Sequence, residues 1–145
     1  MDTGIAVPGK SAILVEPLCD KTAEEMTRAY LHLLQRIKAA GLQPMKHIMD
    51  NEVSEVLKET IEKECKSELV PPGCHRRNVA EVAIKSFKAH FIAILAGVDP
   101  KFPMHLWCRL VPQAVLTLNL VRPAHVSQKI LAYTYVHGDF DYNKM

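Results

Sequence analysis

Paired cysteines are the first thing that this sequence lacks. None of its cysteines forms a CxxC pair, and its seven histidines show no HxxxH spacing beside them. Structural zinc sites use closely spaced ligands of this kind, so we expect no zinc site. We expect the cysteines to be reduced thiols, as in an intracellular protein. They are Cys19, Cys65, Cys74 and Cys108.

Long apolar runs are also missing. The N-terminal residues MDTGIAVPGKS contain no apolar stretch of the signal-peptide kind. No later run reaches the roughly 20 residues that span a membrane. Repeats, linkers and low-complexity tracts are absent as well. We therefore expect residues 1–145 to form one domain with its own hydrophobic core.

A strong net charge is the third absence, because the formal charge is only +2 and does not by itself indicate a nucleic-acid partner. The distribution is uneven, however. Segment 50–68 carries seven acids and three lysines, whereas segment 71–90 carries four basic residues and a single acid, Glu81. A lone carboxylate in a basic stretch is a candidate functional group. Two solvated helix faces of opposite charge explain the same pattern and stay open as the alternative.

Three short strands are predicted along the first half of the chain. Ala12–Leu18 contains Pro17 near its end and is typical of a buried strand. Lys46–Met49 predicts a second strand, which places Asp50 at its C-terminal end. Glu68–Val70 predicts a third.

Helices are predicted between and after these strands. Thr22 followed by Glu25 forms a capping box, and the helix that it starts is expected to stop at Gly41. A second, acidic helix follows from about Val53. The longest helix is predicted over about 78–96. Its expected core face consists of Ala80, Ile84, Phe87, Phe91 and Leu95.

The C-terminal part of the chain, residues 104–145, is predicted to be helical. Pro103 is well placed for the first turn of a helix that reaches Val121 and is apolar nearly all round, so it is buried or forms an interface. Pro112 should kink or divide this helix. A short helix is predicted near Gln128–Tyr135. The alternation of strands and helices predicts an α/β fold with some parallel pairing.

Functional groups in such folds gather at the carboxyl ends of the strands, which is where Asp50 lies. A carboxylate there, together with one in the first turn of a helix, is typical of a two-metal phosphoryl-transfer site. Glu81 has the second position. Lys85 and Lys88 follow it on one helical stripe, where they would neutralise DNA phosphates. An exposed helix flank with a favourable Glu81–Lys85 pair is the alternative interpretation.

Several longer motifs resemble the integrase core of retrotransposon polyproteins. The resemblance covers nearly the whole chain from Ser11 onward, with the motifs in the family's order. The motifs are SAILVEPL at 11–18, HIMDNEVSEVL at 47–57, LVPP at 69–72, HRRNVAEVAIKSFKAHF at 75–91, PMHLWCRLVPQAVLTLNLVRP at 103–123 and GDFDYNK at 138–144.

The resemblance implies an RNase H-like fold, a mixed sheet flanked by helices, here shortened by the loss of N-terminal strands and extended by C-terminal helices. It implies three acids that bind Mg²⁺ or Mn²⁺. Such enzymes trim the ends of element DNA by water attack. They then join the 3′-hydroxyls to target DNA by transesterification.

The resemblance also assigns roles to individual residues. Asp50 matches the family's second acid and Glu81 the third, and Asp2 of Asp2-Thr3-Gly4 resembles the first. Lys85 and Lys88 match basic positions that face element DNA. The remaining nucleic-acid-binding residues are expected in the preceding loop: His75, Arg76, Arg77 and Asn78.

The chain departs from the family around the first acid. Only 47 residues separate Asp2 from Asp50, fewer than usual, and the six residues IAVPGK leave no room for the family's hairpin strands. Residues 1–11 are therefore expected to be a poorly ordered remnant. The catalytic function, if any, is expected to be weak.

Three functional hypotheses follow. The first is an integrase-core remnant of a retroelement with little or no activity, and the second is a working metal-dependent strand transferase. The third is a non-catalytic DNA-binding or dimerising module that uses the basic face 76–88 and the apolar helix 104–121. DNA is the expected partner, with a homodimer through residues 104–121 and no membrane contact. A nuclear location would follow from integrase activity, although no cluster of five basic residues supports it independently.

Overall fold

The computed structural model describes residues 3–6, 12–49, 53–69 and 79–144, and within these the protein is a mixed α/β structure. β1 (Thr3–Ala6) pairs antiparallel with β2 (Leu14–Pro17). β3 (Lys46–Met49) pairs parallel with β4 (Lys66–Leu69). The predicted α/β class with some parallel pairing is confirmed. Over the described ranges, however, the strands form two separate pairs rather than one mixed sheet.

The strand positions agree with the sequence in part. β3 has the predicted bounds, and β2 lies inside the predicted run 12–18. β4 starts two residues before the predicted third strand, whose last residue, Val70, lies outside the described residues. At the N-terminus, Thr3–Ala6 form β1, whose pairing with β2 supplies backbone hydrogen bonds to this short segment; residues 1–2 and 7–11 of the predicted remnant lie outside the described residues.

α1 (Ala23–Ala39) begins and ends where the sequence predicts. The Thr22 hydroxyl accepts a hydrogen bond from the Glu25 backbone N–H at 3.3 Å. The second half of the capping box does not form, because the Thr22 N–H donates to Asp20 instead. Glu25 binds Arg28 through both oxygens, at 2.7 and 2.8 Å, which lowers the pKa of Glu25 to about 2. Gly41 follows with a φ of 76°, a conformation that glycine adopts without strain.

The run that leads into β2 is buried on both faces. Leu14 packs against Leu33 and Ile37 of α1. Ile13 and Val15 point the other way, into the largest hydrophobic cluster of the described residues. This alternation is what a strand between two helical layers requires. β2 is therefore central in the described structure.

α3 (Val79–Gly97) and α4 (Val111–Val121) form the layer on the far side of β2. Phe87 and Phe91 of α3 are fully buried, with ring centroids 5.5 Å apart. Ala83 completes the buried face of α3. The predicted Ala80 and Ile84 are only half-buried, so the core face is rotated slightly from the prediction.

The helix predicted from Pro103 to Val121 is divided, as Pro112 suggested. Residues Met104–Leu110 form a 3-10 helix, and α4 starts at Val111 with Pro112 in its first turn. Trp107 packs edge-on against Phe91 at a centroid distance of 6.2 Å. The short helix near the C-terminus, α5 (Ala132–His137), begins four residues later than predicted.

The side chain of Asn119, on α4, forms hydrogen bonds with the backbone of Ile13, the residue directly before β2. This side chain is buried, and its Oδ1 accepts the Ile13 N–H at 2.8 Å. Its Nδ2 donates to the Ile13 carbonyl at 2.8 Å and to the Val115 carbonyl at 3.0 Å. One amide side chain thus provides the two bonds that a neighbouring strand would give to Ile13.

The β3–β4 pair has a smaller core of its own. α2 (Glu55–Glu64) is capped by Ser54 and contributes Leu57 and Ile61, which pack against Met49 of β3. α1 covers the same cluster with Met26 and Tyr30. α1 therefore packs against both strand pairs. No helix of the described residues is long and apolar enough to cross a membrane.

Candidate functional site

α3 carries the described part of the predicted site. Glu81 lies in its first turn and is half-buried, and Lys85 and Lys88 are exposed. Glu81 and Lys85 each stand two residues from a buried position, Ala83 and Phe87 respectively. At about 100° per residue this is roughly 160° around the helix. The three charged residues therefore occupy a face of α3 that points away from its core contacts.

The first turn of a helix favours a carboxylate there. The free N–H groups at a helix N-terminus carry partial positive charge, so acidic side chains such as Glu81 are common in this position. Glu81 also takes part in an interaction within the structure. Its carboxylate is a hard oxygen donor of the kind that Mg²⁺ and Mn²⁺ prefer. On these grounds Glu81 fits the role of one metal ligand.

The other two predicted acids are not among the residues that the structure describes. Asp2 and Asp50 lie outside the described residues, as do His75, Arg76, Arg77 and Asn78. What the structure gives is the elements next to them. β1 begins at Thr3, directly after Asp2, and β3 ends at Met49, directly before Asp50.

The packing brings α3 close to the start of the chain. α3 contacts β1, and its Ala83 and Phe87 belong to the same cluster as Ile13 and Val15. The helix that carries Glu81 is therefore held against the hairpin whose first described residue follows Asp2. Within the described ranges, no group of three or more His, Cys, Asp or Glu side chains lies close enough together to hold a metal ion.

The residues beneath the end of β3 are largely uncharged. His47 packs edge-on against Tyr30 at 5.4 Å, and burial lowers the pKa of His47 below its ordinary value of 6.5. Burial, and then the neighbouring Cys65 thiol, raise the pKa of the Tyr30 hydroxyl. That hydroxyl is buried without a well-formed hydrogen bond to any described residue. The strand that leads to Asp50 thus packs against aromatic and apolar side chains, including Tyr30.

A second polar region was not found from the sequence. A pocket with a volume of about 410 Å³ lies between β2, α1 and α4. We call it the Arg36 pocket. Its polar lining consists of Glu16, His32, Arg36 and Cys108. The only sequence signal for this pocket was that His32 and Arg36 stand four residues apart on α1. Polar residues on exposed helix faces often have this spacing, so the signal is weak.

The Arg36 pocket contains a structured charge network. His32 Nδ1 lies 2.9 Å from one Glu16 oxygen, and Arg28 pairs with the other at 3.3 Å. The Glu16 side chain is only 12% exposed. Arg36 makes no ion pair or side-chain hydrogen bond with the described residues. Among the residues that the structure describes, Arg36 therefore has no carboxylate partner.

The three described cysteines, Cys19, Cys65 and Cys108, are free thiols. Cys74 lies outside the described residues. Comparisons with known proteins gave no match, either among protein-family models or among curated proteins.

Proposed function

We propose that this chain is an integrase-core-like protein of a retroelement, with a shortened RNase H-like fold and a metal-dependent site for DNA phosphoryl transfer. The observation that carries the proposal is the face of α3. It presents a half-buried carboxylate, Glu81, in the first helical turn and two exposed lysines, Lys85 and Lys88, along the same stripe. The motif resemblance from Ser11 onward gives that face its interpretation.

The fold supports the proposal at a coarser level. A mixed α/β core with parallel pairing of β3 and β4 suits an RNase H-like domain, since its acids stand at strand ends and on a helix. α1 lies between the two strand pairs, and α3 packs on the opposite side of β2. A domain of this kind with fewer strands would keep the helices that carry Glu81 and the lysines.

The residues have distinct tasks in this proposal. Asp50, Glu81 and Asp2 would bind Mg²⁺ or Mn²⁺, and the bound ions would supply stabilisation of charge on the attacking and leaving oxygens. Lys85 and Lys88 would neutralise phosphates beside the scissile bond, which fixes the DNA backbone in place. His75, Arg76, Arg77 and Asn78 would extend the contact from the loop before α3. Arg76 and Arg77 would add positive charge to that contact.

We expect weak activity or none, because only 47 residues separate Asp2 from Asp50 and the six residues IAVPGK leave no room for the hairpin strands that follow the family's first acid. A domain without those strands would position the first acid poorly relative to the other two.

A non-catalytic DNA-binding or dimerising module is the second candidate. The exposed lysines on α3 support DNA binding without requiring a complete acid set. A homodimer through residues 104–121 would have to form through the side chains of this segment that are exposed in the single chain. The buried side of α4, which includes Val111, Ala114 and Leu118, already packs inside the chain. Met104 and Val121 are the large apolar side chains of this segment that remain exposed.

A DNA strand-transfer and nicking assay tests the catalytic proposal. The purified chain is incubated with element-end DNA and a plasmid target, in the presence of Mn²⁺ or Mg²⁺. We expect low but metal-dependent joining or nicking that Glu81→Gln and Asp50→Asn both abolish. Glu59→Gln, at an exposed position on α2, is the matched control and should leave the activity unchanged.

The outcomes separate the candidates. Metal-dependent activity that survives both acid substitutions would refute the proposed site. Salt-sensitive DNA binding without any turnover, unaffected by Glu81→Gln, would favour the non-catalytic module. Reverse transcriptase or gag-like reading frames beside the gene would support the retroelement origin in either case.

A further inference from the structure

We propose that the Arg36 pocket binds a small organic anion, namely a carboxylate attached to an apolar body. The inference does not depend on the function proposed above. Its volume of about 410 Å³ lies in the range of small-molecule sites. Such sites combine apolar walls with a few polar groups that fix the ligand's orientation.

The walls of the pocket supply the apolar part. Val15 of β2 and Val111 and Val115 of α4 line it, together with Pro17 and Pro112. The three valines belong to the main hydrophobic cluster, so their positions are fixed by packing. A rigid apolar wall keeps its shape when a ligand binds, which reduces the entropic cost of binding.

The charges of the pocket favour an anion. Each Glu16 oxygen already contacts a basic side chain, Arg28 or His32, so a cationic ligand would compete with these two groups for Glu16. Arg36 lines the same space and pairs with no described carboxylate. A guanidinium group matches a carboxylate through two parallel N–H···O bonds. The ligand's charged end is therefore expected at Arg36.

The His32 ring supports the orientation. Its Nδ1 lies 2.9 Å from a Glu16 oxygen, so Nε2 is the ring nitrogen that remains for a ligand. His32 and Arg36 stand four residues apart on α1 and therefore on one helical face. Together they form one polar side of the pocket, and the valines form the other.

A second feature is the position of His137. Burial, and then the charge of Arg36, lower the pKa of His137 below its ordinary value of 6.5. The Arg36 charge thus reaches both the pocket and α5. An anion bound at Arg36 would neutralise part of that charge. Its binding should raise the pKa of His137, which gives a readout outside the pocket itself.

NMR titration of the full-length chain tests the proposal with hexanoate as the probe. We expect saturable shifts in the amide signals of Arg36, Cys108 and Val115. 1-Hexanol, which lacks the charge, and inorganic phosphate, which lacks the apolar body, should each bind at least about threefold more weakly. Equal binding of hexanoate and 1-hexanol, or of hexanoate and phosphate, would overturn the proposal, and so would an absence of saturable shifts.

Two variants with matched controls locate the site. Arg36→Gln should weaken hexanoate binding by roughly threefold to tenfold, whereas Lys129→Gln, which removes a charge from an exposed loop, should not. Cys108→Phe should fill the pocket and abolish binding, whereas Cys19→Phe, at another exposed cysteine, should not. Unchanged hexanoate binding in both Arg36→Gln and Cys108→Phe would refute the assignment.

Discussion

The two strand pairs of this protein pack against hydrophobic clusters of very different size. The hairpin half, formed by β1, β2, α3 and α4, contains the largest hydrophobic cluster of the described residues, with Phe87 and Phe91 at its centre. The parallel half, formed by β3, β4 and α2, has a core of three buried residues: Met49, Leu57 and Ile61. Large apolar side chains are also exposed in or beside this half, namely Met45, Ile48, Val56 and Leu69.

This difference bears on the proposed site, because the two halves carry different parts of it. Glu81, Lys85 and Lys88 belong to the firmly packed half. Asp50 follows a strand of the weakly packed half. Local unfolding begins in the least stable part of a protein. If the smaller core opens more often, Asp50 would lose its position relative to Glu81. The comparison agrees with the weak activity that we propose.

The largest expected effect comes from removing the centre of the hairpin half. Phe87→Ala should lower the free energy of unfolding by about 3–5 kcal/mol, because Phe87 is fully buried and a cavity would remain. Ile61→Ala is the counterpart in the parallel half and should cost about 2–3 kcal/mol. Urea denaturation followed by circular dichroism measures both values.

Hydrogen exchange then shows whether the halves differ in cooperativity. Ile61→Ala should speed exchange in β3 and α2 while β2 and α3 keep their protection. Equal loss of protection in both halves would mean that the molecule unfolds as one unit. The proposed difference in stability between the halves would then be wrong.

A smaller effect is expected at Asn119. Asn119→Leu keeps the volume but leaves the Ile13 N–H and carbonyl without partners, so we expect a loss of about 2 kcal/mol. Asn143→Leu, at an exposed position, is the matched control. Equal stabilities of the two variants would show that Asn119 does not anchor the run that leads into β2.

The smallest effect concerns pH and His47. Burial lowers the pKa of His47, so the unfolded chain binds a proton more readily than the folded chain. The stability that neutral His47 contributes is present above about pH 6.5 and is lost as the pH falls below that value. His47→Phe should reduce the loss of stability between pH 7.5 and 5.5, and His105→Phe should not. An unchanged pH dependence in His47→Phe would contradict a protonation cost at this position.

Much of the secondary structure could be predicted because its signals are local. Thr22 and Gly41 mark the ends of α1, β3 begins two residues after Pro44, and Pro112 divides the helix before Val121. The pairing of β1 with β2 could not be predicted in this way. Thr3–Ala6 has a single large apolar residue, Ile5, so its strand conformation depends on its pairing with β2.

The candidate site was predictable to a lesser degree. Half-buried Glu81 and the two exposed lysines lie on one side of α3, away from its buried residues, as the helical period predicts. The Arg36 pocket was missed because it depends on tertiary packing. Glu16 and Cys108 are 92 positions apart in the sequence, and only the approach of β2 to α4 brings them to one cavity. The role of Asn119 was missed for the same reason.

The most direct test of the central claim is the salt dependence of DNA binding by the face of α3. The affinity of the full chain for double-stranded DNA is measured at several salt concentrations, beside the double variants Lys85→Gln/Lys88→Gln and Lys101→Gln/Lys129→Gln. Each lost phosphate contact reduces the slope of log K against log salt by about one. We predict that the α3 variant loses about two units of slope and the control variant none. Identical affinities and slopes for the two double variants would contradict the account.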